Sequence, residues 1–464
     1  MMNKRISLLS VAISLALSSF YISAEEINTV SQAEQNAIDI ALLKEQIDHV
    51  ADDIQFHGYF RAGFLVNEHG SSAGNEVLKA PNSDGFYRLG GGESNYAAWN
   101  LSKGFTTDSG AWARAYIGYV YEDRDARRWA FDGQGQANFM EKAYVEMGNL
   151  DIAPEAIFWG GRVNYSRDIH MLDLKIYEIR SPGIGVRGLD LGEGKFDLFA
   201  VAHDADEDTS YTVEDGSEDG TTIVYEDGAR PTIMTLGAEY KINDWWFVAT
   251  LQSNSTDVEF MVNDSFGTDH TSKAAQQGFG LMAHYTQDDF FGVFDGYTRY
   301  EAQYAQGTSA AVLGRVGDTN LSNEGGKNYR ASIDALATFD RWEINTVVLA
   351  QQKEDVLFNG HENTWYSIGA RPSYYVTENF AMQFEVGYNW SEFSNGIEQV
   401  SGGLTTFTIA PTLKLKTMMS ARPEIRLFAT FAQASGDYTD DSTNGYNANH
   451  QDAFTFGAQV EAWF

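Results

Sequence analysis

The chain closes on DAFTFGAQVEAWF, residues 452–464. Phe454, Phe456, Ala458, Val460, Ala462 and Phe464 share one face of a period-two strand, while Thr455, Gly457, Gln459 and Glu461 share the other. Parity puts Trp463 on the polar face, two residues from a carboxylate. The same texture recurs. IQFHGYFRAGF sends Ile54, Phe56, Phe60 and Phe64 one way and Gln55, His57, Tyr59 and Arg61 the other. AMQFEVGYNW sets Met382, Phe384, Val386, Tyr388 and Trp390 against Gln383, Glu385 and Asn389, and FTIAPTLKLK sets Phe407, Ile409 and Leu413 against Thr408, Thr412 and Lys414.

Strands with one apolar and one charged face pose a packing problem. In a soluble sandwich the apolar faces meet each other and the polar faces meet bulk water. Here the connections fall into two classes. Short turns carry flanking aromatics (Trp245 and Trp246 after KIND, Phe339 and Trp342, Tyr374 and Phe380), whereas the connections at 203–231 and 433–452 are long, acidic and glycine-rich. Short turns at one end, long loops at the other and aromatic rings at the boundaries describe a membrane barrel with its apolar face on lipid and its charges in a wet lumen. The length from Ile54 onward accommodates roughly 16 to 18 strands of about ten membrane residues, a diameter that leaves a channel.

Composition agrees. Aromatics make up 14% of the 464 residues, with 44 glycines and 7 prolines, and mean hydropathy is negative; half-apolar strands joined by polar loops produce that mixture. The formal net charge of −33 argues against nucleic acid as a partner. Cysteine is absent, so no disulfide or thiolate chemistry is available. The nine histidines show no paired metal spacing, DADEDTSYTVED at 204–215 lacks the glycine of a calcium loop, and GSSAG at 70–74 has no strand-to-helix elbow around it. Neither an enzyme nor a bound cofactor is expected.

Residues 1–24 read as a secretory leader, with Lys4 and Arg5 before an apolar run and Ser23 and Ala24 at its end. Residues 25–53 form a separate segment in which Ile40, Leu43, Ile47 and Val50 step by three and four, as in a short helical coiled coil; a plug-like arm and an unstructured linker are alternatives at this point. Residues 54–464 are the barrel.

Five stretches resemble the maltoporin family of sugar-specific trimeric porins: FHGYFRAG (56–63), YRLGGGESNYAAW (87–99), GGRVNYSRDIHMLDLKIYEIRSPGIG (160–185), SARPEIRLFATFA (420–432) and the closing FTFGAQVEAWF. The resemblance implies an 18-stranded antiparallel transmembrane β-barrel, an inward-folded constriction loop around RDIHMLD, a homotrimer in outer-membrane lipid, and passage of oligosaccharides or glycosides along an aromatic slide. It assigns slide positions to Tyr59, Tyr96, Tyr297 and Trp463, with Trp129 as the ring lent to a neighbouring subunit. A polar track would take Arg61, Arg88, Arg167, Asp168 and Asp173. An aromatic plate covers the C–H face of a pyranose while charged groups take its hydroxyl rim. The sequence departs from the family where Lys175 replaces a constriction tyrosine, Ser420 a slide tryptophan, Ala98 a track glutamate and Glu141 an arginine. Lys175 is expected beside Asp168 and Asp173 at the narrowest point. A general diffusion pore, or a surface receptor, is the competing reading. The N-terminal segment resembles the extension of the sucrose and aryl-glucoside members, and the barrel interface is expected to hold the trimer without it. Deleting residues 33–53 should therefore leave heat-resistant trimers and a conducting pore, and loss of trimers on a gel would make the segment an assembly element.

Overall fold

The computed structural model describes residues 54–464 apart from 69–77, 92–94, 124–135, 205–222, 225–230, 256, 265, 318–320, 421 and 440–451. The leader, the helical segment, the 70–74 and 204–215 motifs (but for Asp204) and Trp129 therefore lie outside the described residues. Eighteen strands build the barrel. The first nine are β1 (Ile54–Asn67), β2 (Asn95–Thr106), β3 (Trp112–Asp123), β4 (Gln136–Leu150), β5 (Ala153–Ile169), β6 (Leu174–Asp190), β7 (Lys195–Asp204), β8 (Thr232–Ile242) and β9 (Trp245–Asn254). The second nine are β10 (Gln277–Phe290), β11 (Phe294–Gly307), β12 (Lys327–Thr338), β13 (Trp342–Glu354), β14 (Glu362–Thr377), β15 (Phe380–Ser394), β16 (Gln399–Lys414), β17 (Glu424–Gly436) and β18 (Asp452–Trp463).

Each strand pairs antiparallel with its neighbour in sequence, and β1 closes the barrel on β18, with Tyr59 opposite Trp463 and Asn67 opposite Thr455. Closure removes the free edges that the first and last strands would otherwise expose, the condition for crossing hydrocarbon with strands. At the seam Gly58 and Phe464 exchange backbone hydrogen bonds of 2.9 and 3.0 Å. The Phe464 ring lies so close over Gly58 that a Cβ there would stand 2.4 Å from it.

The outer face carries Ile54, Phe56, Phe64, Leu236, Leu251, Ile368 and Leu427, all exposed. At the short-turn end, Trp245 stacks on Phe247 and lies tilted against Tyr285, as Trp342 does against Tyr374 and Phe294 against Phe339. Trp246 does not belong to this girdle. Successive residues of a strand face opposite ways, so Trp246 points into the lumen and donates its indole N–H to Glu239 at 2.9 Å.

The hairpin of β5 and β6 leaves the wall. β4 pairs with β5 only as far as Ala143 opposite Arg162, and β7 pairs with β6 only from Gly183 onward. Between those points residues 163–182 have each other as antiparallel partners, with Ile176 the extra residue of a bulge that bends the ribbon. The tip is a single 3-10 turn, His170–Leu172, ended by Asp173 in the left-handed region at φ 49, a conformation Asp tolerates better than most residues.

Three contacts hold the tip. Ile169, Met171, Leu172, Leu174 and Ile176 bury against Val347, Leu349, Trp365 and Tyr87, so an otherwise polar inner wall presents an apolar patch where the hairpin lands. Phe86 and Arg88 donate backbone N–H groups to Leu172 and Met171 carbonyls at 3.0 and 3.1 Å. On the other edge, Arg315 and Val316 pair parallel with Glu178 and Ile179. Full burial of one such side chain contributes about 1.5–3 kcal/mol, enough over the cluster to fix the ribbon.

Tyr87 is the key of the landing site. Its ring lies on Gly369 and Gly387, which are direct register partners, and its hydroxyl sits 2.8 Å from Ser367 Oγ. A Cβ at Gly387 would fall 2.1 Å from the ring. Gly387→Ala should therefore displace Tyr87 and the loop bearing Arg88, at a cost of about 1–3 kcal/mol. The check is a lowered heat-dissociation temperature with the barrel spectrum retained; an unchanged transition would show that the ring finds equal packing elsewhere.

Candidate functional site

Arg88 reaches the lumen from the loop between β1 and β2. Its Nη2 donates to Tyr59 Oη at 2.8 Å and to Glu461 Oε1 at 2.7 Å. Its Nη1 lies 3.0 Å from His170 Nδ1 and 3.4 Å from Asp173. One guanidinium thus ties the seam strands β1 and β18 to the hairpin tip. Burial opposes its charge, but Asp173 and Glu461 more than offset that and raise its pKa above the ordinary arginine value. Burial, followed by the neighbouring Arg88 charge, pushes His170 well below the ordinary histidine value. The imidazole is then neutral near pH 7 and offers Nδ1 as an acceptor.

Glu461 is the centre of a larger network. It accepts from Arg422 at 2.8 and 3.0 Å and lies 3.7 Å from Arg426. Glu424 in turn pairs with Arg426, Lys414 and Arg422. Alternating charges across adjacent strands keep these buried groups paired, which is the condition for leaving water.

Aromatic rings run beside the network. Tyr96 lies 5.7 Å from Tyr59, and Tyr59 lies 6.3 Å from Trp463 in a near-parallel stack. They sit on the adjacent strands β2, β1 and β18 and form one row. Arg61 stands over Tyr96 at 5.5 Å and Arg422 over Trp463 at 4.2 Å. On β2 the register partner of Tyr59 is the small Ala98, and on β18 it is Trp463. The row offers flat π faces, with donors and acceptors at their edges.

Other residues singled out in the sequence sit elsewhere. Tyr297 is on β11, away from this row, with Arg299 over its face at 4.1 Å and Asp334 3.3 Å from that guanidinium. Arg167 lies on the hairpin and stands 5.6 Å over the Trp246 ring. Glu141 is the extra residue of a bulge between β3 and β4, and accepts from Asn164 at the hairpin base at 2.6 Å. Ser420 is exposed in the turn after β16, so no ring extends the row past Trp463 at that position.

Lys175 does not make the contacts expected of it. It is the register partner of Asp168, but its ammonium pairs with Glu178, while Asp173 pairs with Arg88. The bulge at Ile176 shifts the spacing along β6, and the carboxylate three residues on becomes the nearer one.

Sequence reasoning passed over Glu461, Arg422, His170 and Trp246. Glu461 and Arg422 were legible in principle, the first by sharing a face with Trp463 and the second by its place in SARPEIR. His170 and Trp246 depend on where the hairpin lands.

Among solved structures the chain is similar to OccAB1 of Acinetobacter baumannii (12% identity, TM-score 0.46, covering 89% of this chain and 97% of that one). It is similar also to OpdQ of Pseudomonas aeruginosa (12%, 0.45, 89% and 99%) and to OprD of the same organism (10%, 0.44, 89% and 94%). The family model described as LamB porin matches residues 54–464, the whole barrel. The chain belongs to the LamB porin family and is an outer-membrane porin.

Proposed function

We propose that this porin is selective for carbohydrate, passing neutral oligosaccharides or glycosides by facilitated diffusion as a homotrimer, after export by its leader. The observation that supports this best is the row Tyr96, Tyr59 and Trp463 lying beside Arg61, Arg88, Arg422 and Glu461. A sugar slides from ring to ring without desolvating its hydroxyls all at once, because each hydroxyl exchanges one edge partner for the next. Arg167, Asp168, Asp173 and Lys175 on the hairpin complete the polar side of that reading, and Tyr297 would receive the sugar farther along. Trp129 is the proposed contribution from a neighbouring subunit.

Titrating sugars against the ion current of reconstituted channels tests the proposal. A selective channel gives saturable, sugar-dependent block; a general diffusion pore gives none. Trp463→Ala should weaken binding about tenfold, equivalent to about 1.4 kcal/mol of lost stacking, with ion conductance equal or slightly raised. Unchanged affinity would remove Trp463 from the path.

A second variant probes the charges. Glu461→Gln leaves Arg88 and Arg422 without their shared anion, so the reversal potential in a salt gradient should move toward anion preference. Because one carboxylate serves several guanidiniums, the loss in stability should approach the ~3–5 kcal/mol typical of a broken buried pair. An unmoved reversal potential would show that these charges lie off the ion path.

A further inference from the structure

At the long-loop end a histidine is buried where nothing meets its polar atoms. His361 lies in the loop between β13 and β14, 2% exposed, with its ring 5.4 Å from Phe358 and 5.7 Å from Phe393. Its Nδ1 is buried without a hydrogen-bond partner among the described residues. Phe260, Val262, Phe358, Phe393 and Val400 belong to one apolar core at this end. A neutral imidazole is tolerated there, whereas an imidazolium would be a buried charge without an anion.

The same core carries a bridge over the mouth. The connection from β9 to β10 contains the antiparallel pair Glu259–Asn263 and Asp269–Lys273, with Phe260 and Val262 in the core. Asp264 organises its turn, accepting from the Phe266 and Thr268 N–H groups at 2.9 Å. The other carboxylate oxygen lies 2.7 Å from His270 Nε2 and accepts from Asn395 Nδ2 at 2.7 Å. Asn395 is in the turn between β15 and β16, six strands round the eighteen-strand barrel from the connection that carries Asp264. A link between two such points on the rim is a chord over the opening. His270 also stacks on Phe358 at 3.7 Å, so one phenylalanine touches both the bridge and His361.

The charges that act on His361 oppose a further cation. Burial first, then the charges of Lys353 on β13 and His270 on the bridge, hold its pKa down at about 3, against 6.5 for an unperturbed imidazole. Nearby carboxylates are engaged elsewhere: Asp355 accepts from the Gly360 N–H at 2.6 Å, Asp84 pairs with Lys353 at 2.6 Å, and Asp264 is shared between His270 and Asn395. Glu392 takes the opposite face of β15 from Phe393, and Glu362, Glu398, Glu259, Asp269 and Lys273 are exposed.

We infer that the bridge is an acid-released cap: it lies closed over the mouth while His361 is neutral, and proton uptake by His361 drives the Phe358 loop out of the core and frees the bridge with it. With the cap open the imidazole reaches water and titrates near 6.5; with it closed the ring stays neutral down to about 3. The closed state is therefore at full strength above pH 6.5 and loses about tenfold against the open state per pH unit between 6.5 and 3. From pH 7.5 to 4.5 the loss is about a hundredfold. The His270 contact acts the other way, because a charged His270 holds Asp264 more strongly, so release comes from the His361 side. Acid release is independent of which solute the pore carries.

The experiment compares the full-length wild type with His361→Phe and His361→Gln, whose new side chains are uncharged at every pH. Hydrogen–deuterium exchange of residues 259–273 at pH 7.5 and 4.5, read by mass spectrometry, measures opening of the bridge. Intrinsic exchange and the titration of other groups are common to the three proteins at equal pH and cancel. On acidification, opening in the wild type should rise about a hundredfold relative to either variant, with the barrel strands unchanged. The largest polyethylene glycol that enters from the long-loop side of channels in planar bilayers should grow with acid in the wild type and stay constant in the variants. Should the phenylalanine fail to pack, the glutamine variant still separates charge from shape. The inference is overturned if the wild type and the variants respond alike to acid, in exchange or in polymer size.

Discussion

Glu461 holds the pore together. It sits on the last strand, at the barrel seam, and its carboxylate is shared by Arg88, Arg422 and the Tyr59 hydroxyl. Through Arg88 the same charge reaches Asp173 and His170 on the hairpin tip. The barrel seam, the hairpin tip and the aromatic row are therefore linked through one buried anion. A buried carboxylate is costly unless it is paired, and here the cost is offset by the guanidiniums of Arg88 and Arg422.

The hairpin is the second dependence. A ribbon that abandons both neighbours in the wall gives up ladder hydrogen bonds, and it is stable only if its backbone and apolar side chains find other partners. The loop carrying Phe86 and Arg88 supplies two of the backbone bonds, the short strand at Arg315 and Val316 supplies more, and the patch around Trp365 takes the apolar tip. On its other face Val163, Tyr177 and Ile179 pack against Phe199, Val248 and Met282. With apolar contacts on both faces, the ribbon divides the lumen at a fixed place rather than swinging within it.

The barrel was legible because its physics is local. A period of two with one apolar face and one charged face has few solutions, and Glu461 beside Trp463 or Arg61 beside Tyr59 announces a wet interior from sequence alone. The constriction was legible only by resemblance, since nothing in the period of residues 160–185 says that the ribbon leaves the wall. Trp245 and Trp246 mark the limit of composition: a pair of adjacent aromatics reads as a girdle, although strand parity assigns one ring to lipid and the other to the lumen.

By itself the sequence determined the strand periodicity, the membrane-facing side, the lumenal polarity and the rings on the lumenal face, because each follows from which residues alternate along an extended chain. Tertiary structure alone decided which of those rings touch. Tyr59 lies 37 positions from Tyr96 and 404 from Trp463 in a chain that closes on itself, and pairing across the β1–β18 seam made them one row. It also left Tyr297 elsewhere, turned Lys175 to Glu178 and placed Arg167 over Trp246. Those outcomes depend on register, on bulges and on where a displaced hairpin lands, all of which are fixed by contacts between residues far apart in the chain.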